Sequence, residues 1–138
     1  MLSSTRREAR ERALELLYEA EAKSLAPADV ITQLIIRPDE YSVVLAEGVG
    51  AHAEKVDEII GRLAKGWTVA RMPWVDRNVL RMGTFELFER PDVPTAVVLS
   101  EAVELAKRFS GPEASKFVNG VLAAIAREVR PASPVRGG

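Results

Sequence analysis

Residues 93–129 read VPTAVVLSEAVELAKRF, then SGPE, then ASKFVNGVLAAIAREV, and the reading of this stretch decides the fold. In its first part Val98, Ala102, Leu105, Ala106 and Phe109 recur at three- and four-residue steps, the spacing that aligns side chains along one face of a helix. Val118, Val121, Leu122, Ile125 and Val129 repeat the pattern in the last part. The segment between them punctuates the two helices: Ser110 and Glu113 stand in capping-box spacing, and Pro112 suits a first turn, where its missing N–H is not needed. Each apolar stripe therefore needs a partner to cover it. The KFVNG run departs from the pattern, because Asn119 and Gly120 are poor helix formers, the glycine costing up to about 1 kcal/mol.

The other segments supply the missing partners. The chain has 138 residues, 47% hydrophobic and 28% charged, which is enough for one domain with a real core. No apolar run is long enough to cross a membrane and no secretory leader pattern opens the chain. The absence of cysteine removes disulfides, thiolate metal sites and cysteine nucleophiles, and fits a cytoplasmic protein. With a net charge of -1, nucleic acid could be held only through a local basic patch, with help from a partner.

A first helix is expected over about Ser4–Lys23, capped by Ser3 or Ser4. Ala9, Ala13, Leu16, Leu17 and Ala20 form its apolar arc, and Glu8, Glu11, Glu15 and Glu19 its acidic side. Arg6 and Arg10 continue the line of Ala13 and Leu17, while Arg7 lies on the row of Leu14 and Tyr18. The result is a basic strip at a helix N-terminus, where the helix dipole disfavours cations and an outside anion would compensate. A second helix runs from Pro27 to about Arg37, with Ile31, Leu34 and Ile35 inward, until Pro38 stops it.

A long third helix covers about Glu40–Lys65, with His52 as a packed or edge residue on its stripe, and Gly66 ends it. WTVARMPWV is an ordered connector that docks its tryptophans between two helical halves. Asp76 opens a further helix to about Glu89, in which Arg81 is partly buried against a carboxylate, Glu86 or Glu101. These elements make one all-α domain over residues 1–130, with sub-bundles at about 1–65 and 72–130 and a disordered tail over 131–138.

Chemistry is sparse. There is no glycine-rich phosphate loop, no nucleophile elbow and no metal-ligand spacing, so neither catalytic nor metal-binding residues are assigned. An enzyme would have to work with arginines and glutamates alone, and a buried Arg/Glu cluster around a pocket would be its signature. KFVNG is more informative. Phe117 falls about 90° from the centre of its helix stripe, and Lys116 and Asn119 point away from it. A cation, an amide and an aromatic ring together can contact a phosphate, a base edge and a base face of single-stranded RNA. The structural alternative has Phe117 in the core, Asn119 bonding backbone and Gly120 allowing close helix packing.

The blocks RREARERALELLYEAE, VDRNVLRMGTFEL, VPTAVVLSEAVELAKRF and KFVNGVL, in this order, resemble the NusB family of bacterial transcription antitermination factors. The resemblance runs from Arg6 to Ile125 and is poorest between Leu25 and Val43. It implies a fold of about seven helices in two sub-bundles, no catalysis and no cofactor. It also implies partnership with NusE, a small-subunit ribosomal protein, binding to the boxA element of ribosomal RNA transcripts, and a place in the RNA polymerase antitermination complex. Carried onto this chain, the RNA-binding residues are Arg6, Arg7, Arg10, Tyr18, Lys116, Phe117 and Asn119, and Asp76 faces NusE. Glu8 departs from the family's more basic run. Members are monomeric or homodimeric, and a similar domain fronts some ribosomal RNA methyltransferases.

Overall fold

Helix α1 (Arg6–Lys23) starts at a capping box in the computed structural model, which describes residues 5–131. Thr5 is the cap: the Glu8 amide donates to Thr5 Oγ1 at 3.1 Å, and the Thr5 amide donates to Glu8 Oε1 at 2.9 Å. Ser3 and Ser4, the caps expected from sequence, lie outside the described residues, as does the tail from residue 132 onward. The arc Ala9, Ala13, Leu16, Leu17 and Ala20 is buried as its periodicity requires.

Helix α2 (Pro27–Thr32) is shorter than expected. Val30 and Ile31 are buried, but the helix ends before it can turn Ile35 inward, and Ile35 is 100% exposed. The expected long third helix is two, α3 (Glu40–Ala51) and α4 (Ala53–Leu63), broken at His52. Gly48 and Gly50 explain the break. Both weaken the last turns of α3, and both are needed there: a Cβ on Gly48 would collide with the Phe85 ring, and one on Gly50 would meet Pro27 Cδ at 2.9 Å. His52 is an edge residue whose Nδ1 lies 3.0 Å from the Gly48 carbonyl oxygen.

The connector after α4 turns at Gly66, with φ of 83°, and includes a single 3-10 turn at Val69–Arg71. Its buried side chain is Met72, whereas Trp67 and Trp74 keep much of their rings exposed instead of docking between helical halves. Helix α5 (Trp74–Glu89) follows and packs against α1, α3, α4, α6 and α7. Its central place explains why it buries polar residues, Asp76, Asn78, Thr84 and Glu86, alongside Val79, Leu80, Met82 and Leu87.

The decisive stretch is the hairpin of α6 (Thr95–Ser110) and α7 (Pro112–Val129). Gly111, with φ of 103°, terminates the first helix and starts the second, so Ser110 stays helical and forms no capping box with Glu113. The buried face of α6 ends at Ala106, and Phe109 is 48% exposed instead of core. The α7 stripe is buried at Val118, Val121, Leu122 and Ile125. It packs closely on α5, where a Cβ on Gly83 would meet Leu122 at 2.8 Å.

Ion pairs fix how the helices dock. Arg81 pairs with Asp57 of α4 at 2.8 Å and Glu21 of α1 at 2.9 Å, not with Glu86 or Glu101, and Glu21 also takes Arg77 at 2.7 Å. Burial alone would raise the Glu21 pKa, but the two arginines outweigh it and hold the carboxyl below its ordinary value. Glu21 thus stabilises the fold fully above its unfolded pKa, near 4.5, and that contribution disappears as pH falls through the lower folded value. The thermal midpoint of the wild-type chain is expected to drop more steeply below that pH than the midpoint of Glu21→Gln, as followed by circular dichroism.

At the other end of the bundle the Arg130 guanidinium donates to the carbonyls of Leu87 at 2.8 Å, Val93 at 2.7 Å, Glu86 at 3.1 Å and Arg90 at 2.7 Å. It adds donors to the last turn of α5 and the turn that follows, where the backbone already bonds Arg90 N–H to Glu86 O and Val93 N–H to Arg90 O, and it places a cation at the negative end of the α5 dipole. Arg130→Ala is expected to lower unfolding free energy by about 2–4 kcal/mol, read from urea titration, because hydrogen bonds from a charged donor are lost. Arg130→Lys should restore only part of this, since a point charge cannot replace the planar fork.

Candidate nucleic-acid interface

The arginine strip divides as soon as side chains are placed. Arg10 is 3% exposed and belongs to the interior. Its guanidinium grips Glu86 through Nη2–Oε2 at 2.8 Å and Nε–Oε1 at 3.2 Å. Tyr41 donates its hydroxyl to the same Glu86 carboxylate at 2.5 Å. Burial works against the charged arginine, but the Glu86 hydrogen bonds outweigh it and raise the Arg10 pKa. Expected at the RNA surface, Arg10 is instead an internal tie between α1 and α5, because the line it shares with Ala13 and Leu17 is the core-facing line. Arg6 and Arg7 keep their ends exposed: Arg7 makes a two-point pair with Glu101 of α6 at 3.0 and 2.8 Å, and Arg6 approaches Asp92 at 3.8 Å.

The second group forms around the start of α5. The Tyr18 ring lies 4.5 Å from that of Trp74, and the Phe117 ring 5.6 Å from that of Trp67. Phe117 is partly buried at the core edge, while Lys116 and Asn119 are exposed. Gly120 faces open space, which removes close helix packing as the reason for that glycine. Trp67, Pro73, Asp76, Glu113, Ala114 and Phe117 line a cleft of about 320 Å³. Asp76 is 6% exposed in its wall, and its Oδ1 is buried without a hydrogen-bond partner. An unmet acceptor of this kind costs about 1–3 kcal/mol, so it marks a place where a donor from outside would be welcome.

The helices α1 and α5 run antiparallel, as the pairs Arg10–Glu86 and Glu21–Arg77 require. Tyr18 therefore joins the aromatic group near the start of α5, whereas Arg6 and Arg7 lie toward its other end, about 16–18 Å along α1 by helix rise. No hydrogen bond or ion pair joins Arg6 or Arg7 to Lys116, Phe117 or Asn119 among the described residues. At the end of α6 the periodicity misplaces Phe109, whose exposed ring lies 5.2 Å from the guanidinium of Arg108, itself paired with Glu11 of α1. The two tryptophans were also missed as partners of Tyr18 and Phe117. Their position beside Asp76 was the available signal.

One pocket of about 280 Å³ has an Arg/Glu floor, with Glu21, Asp57 and Arg81 beneath walls that include Leu17, Ala20, Leu25 and Val49. Its charged groups are committed to one another, so the cluster reads as the ion-pair joint of α1, α4 and α5. Among the described residues no group of three or more His, Cys, Asp or Glu could hold a metal ion. None of the described helices is long and apolar enough to cross a membrane.

Fold and surface together define a small all-helical protein with exposed cations and aromatics set on a packed core. The NusB family model matches residues 7–127, and the chain belongs to the NusB family. The transcription antitermination protein NusB of Kineococcus radiotolerans is 48% identical over 127 residues, covering 89% of this chain and 93% of that protein. That of Acidothermus cellulolyticus is 48% identical over 124 residues, covering 87% and 86%. Among solved structures, T. maritima NusB superposes with a TM-score of 0.82 at 31% identity, covering 94% of this chain and 96% of that one. A crystal structure of antitermination factors NusB and NusE in complex with dsRNA gives 0.72 at 30% identity, covering 89% and 96%.

Arg10→Ala separates the interior role from a surface one. Leaving Glu86 buried and unpaired is expected to cost about 3–5 kcal/mol of stability in chemical unfolding. Arg7→Ala, at an exposed pair, should change stability by less than about 1 kcal/mol.

Proposed function

We propose that this chain is an RNA-binding transcription antitermination factor that, together with NusE, binds the boxA element of ribosomal RNA transcripts and helps RNA polymerase resist termination. The role is non-catalytic. The observation that carries the reading is the division of the arginine strip in a NusB-family chain: Arg10 is absorbed by the core, yet Arg6 and Arg7 stay exposed, as do Lys116 and Asn119 beside Phe117. A cation contributes to RNA binding only where a phosphate can reach it, and an aromatic at a surface edge offers a face for a base.

In this reading Arg6, Arg7 and Lys116 meet phosphates, Asn119 meets a base edge, and Phe117 and Tyr18 offer ring faces. Asp76 supports a NusE contact at the start of α5, because its unmet carboxyl oxygen can accept a donor brought by a partner. The net charge of -1 explains the need for that partner, since the chain alone offers RNA a small positive patch on a neutral background.

The test is titration of boxA-like single-stranded RNA at fixed salt, with and without NusE. NusE should tighten binding, and Phe117→Ala should weaken it by about 1–3 kcal/mol if a base stacks there. Lys116→Ala should weaken binding and flatten its salt dependence, whose log–log slope should be shallower than about -3 for the few phosphates neutralised. Asp76→Asn should weaken the NusE complex while leaving the RNA affinity of the chain alone unchanged. Unaltered RNA binding in both Lys116→Ala and Phe117→Ala removes this site. Equal affinity for a duplex of the same sequence removes the stacking role.

A further inference from the structure

Tyr41, at the start of α3, lies under three guanidiniums. Arg6 stands 4.0 Å from its ring centroid, Arg90 5.3 Å and Arg10 5.7 Å. Cations are drawn to an aromatic face by its quadrupole, so the ring acts as a platform that gathers charges which would otherwise repel. Arg10 is consumed by Glu86. The other two share a single anion, for Asp92 lies 3.8 Å from Arg6 Nη1 and 3.2 Å from Arg90 Nε.

Asp92 is a poor occupant of that position. Its side chain is 55% exposed, its contact with Arg6 is beyond hydrogen-bond length, and its bond from Arg90 Nη2 is long at 3.3 Å. Arg90 Nε is buried yet has no aligned acceptor. The hydrogen bond from Arg90, with the nearby charges of Arg90 and Arg6, still holds the Asp92 carboxyl below its ordinary value, so it remains an anion. The arrangement thus has two converging donors, a fixed ring beneath them, and a loosely attached carboxylate between them.

We infer that Arg6 and Arg90, laid over Tyr41, form a phosphate subsite for the RNA backbone, and that Asp92 fills this subsite while RNA is absent. The inference rests on the reading of Arg6 as an RNA contact and adds Arg90, which lies far from the arginine-rich start in sequence. A phosphodiester presents two oxygens and one negative charge, as a carboxylate does, and guanidinium forks suit both. Arg6 occupies the first turn of α1, where the helix dipole favours an anion over a cation. Asp92 supplies that anion internally, and because its own side chain is 55% exposed it can be displaced at small cost.

The experiment titrates boxA-like RNA against the full chain with NusE, using Asp92→Asn, Arg90→Gln and the double variant at several salt concentrations. Asp92→Asn should tighten binding about two- to fivefold, the size of an exposed ion pair. Arg90→Gln should weaken binding and reduce the magnitude of the salt slope by about 0.7, one phosphate of a single strand. In the double variant the gain from Asp92→Asn should vanish. Unchanged affinity in Asp92→Asn overturns the subsite, as does an equal gain in the Arg90→Gln background, which would mark a general charge effect. If Arg90→Gln loses its thermal transition, Asp92→Asn alone decides in the same two directions. Arg7→Ala and Lys116→Ala serve as controls: if they weaken binding while the Asp92 and Arg90 variants do nothing, the subsite falls and the RNA surface stands. If they too do nothing, the RNA surface itself is wrong.

Discussion

The buried pairing of Arg10 with Glu86 is the constraint on which the surface depends. Two charges withdrawn from water are costly, and they are tolerated here because the geometry is two-pronged and Tyr41 adds a third hydrogen bond to the same carboxylate. The three residues come from α1, α5 and α3, so the network specifies the relative register of these helices more tightly than apolar packing does. Ala13 and Leu17 could slide by a turn with modest loss. Arg10 cannot.

This constraint settles which arginines face outward. Once Arg10 turns in toward Glu86, helix geometry leaves Arg7 toward α6, where Glu101 steadies it, and Arg6 against the Tyr41 ring. The cations at the surface are therefore held in place before any ligand arrives, which lowers the ordering cost of binding. The aromatic groups at the start of α5 follow the same logic. Tyr18 and Phe117 are braced by Trp74 and Trp67, so their rings are presented on a firm backing.

Much of the architecture was legible because helical periodicity reports burial directly. Ala9 to Ala20, Val98 to Ala106 and Val118 to Ile125 are buried where their spacing places them. The misreadings share a cause, namely that periodicity cannot see where a helix ends or what opposes it. Phe109 and Ile35 fit their stripes but lie where no helix covers them, and His52 interrupts a pattern that runs on in sequence. Ion-pair partners were the least accessible: Arg81 finds Asp57 and Glu21 across helices, a choice set by docking that local spacing does not encode. For the candidate site, residue types in KFVNG and the arginine run marked side chains that stay at the surface, Arg6, Arg7, Lys116 and Asn119, but the burial of Arg10 depended on Glu86, far along the chain. The orphaned oxygen of Asp76 could not be inferred from an acidic letter near a helix start.

Arg130 gives the molecule a temporal order as well as a spatial one. Its guanidinium ties the carbonyls of Glu86, Leu87, Arg90 and Val93 together, yet it is added after every other residue of the helical core. During synthesis from the N-terminus, α1 to α5 can begin to assemble while the turn after α5 is held only by its own two backbone hydrogen bonds. The turn carries Arg90 and Asp92, so this part of the surface is completed only when the chain is nearly finished. A nascent chain lacking its last helix therefore has its arginine-rich start in place before the opposing turn is fixed.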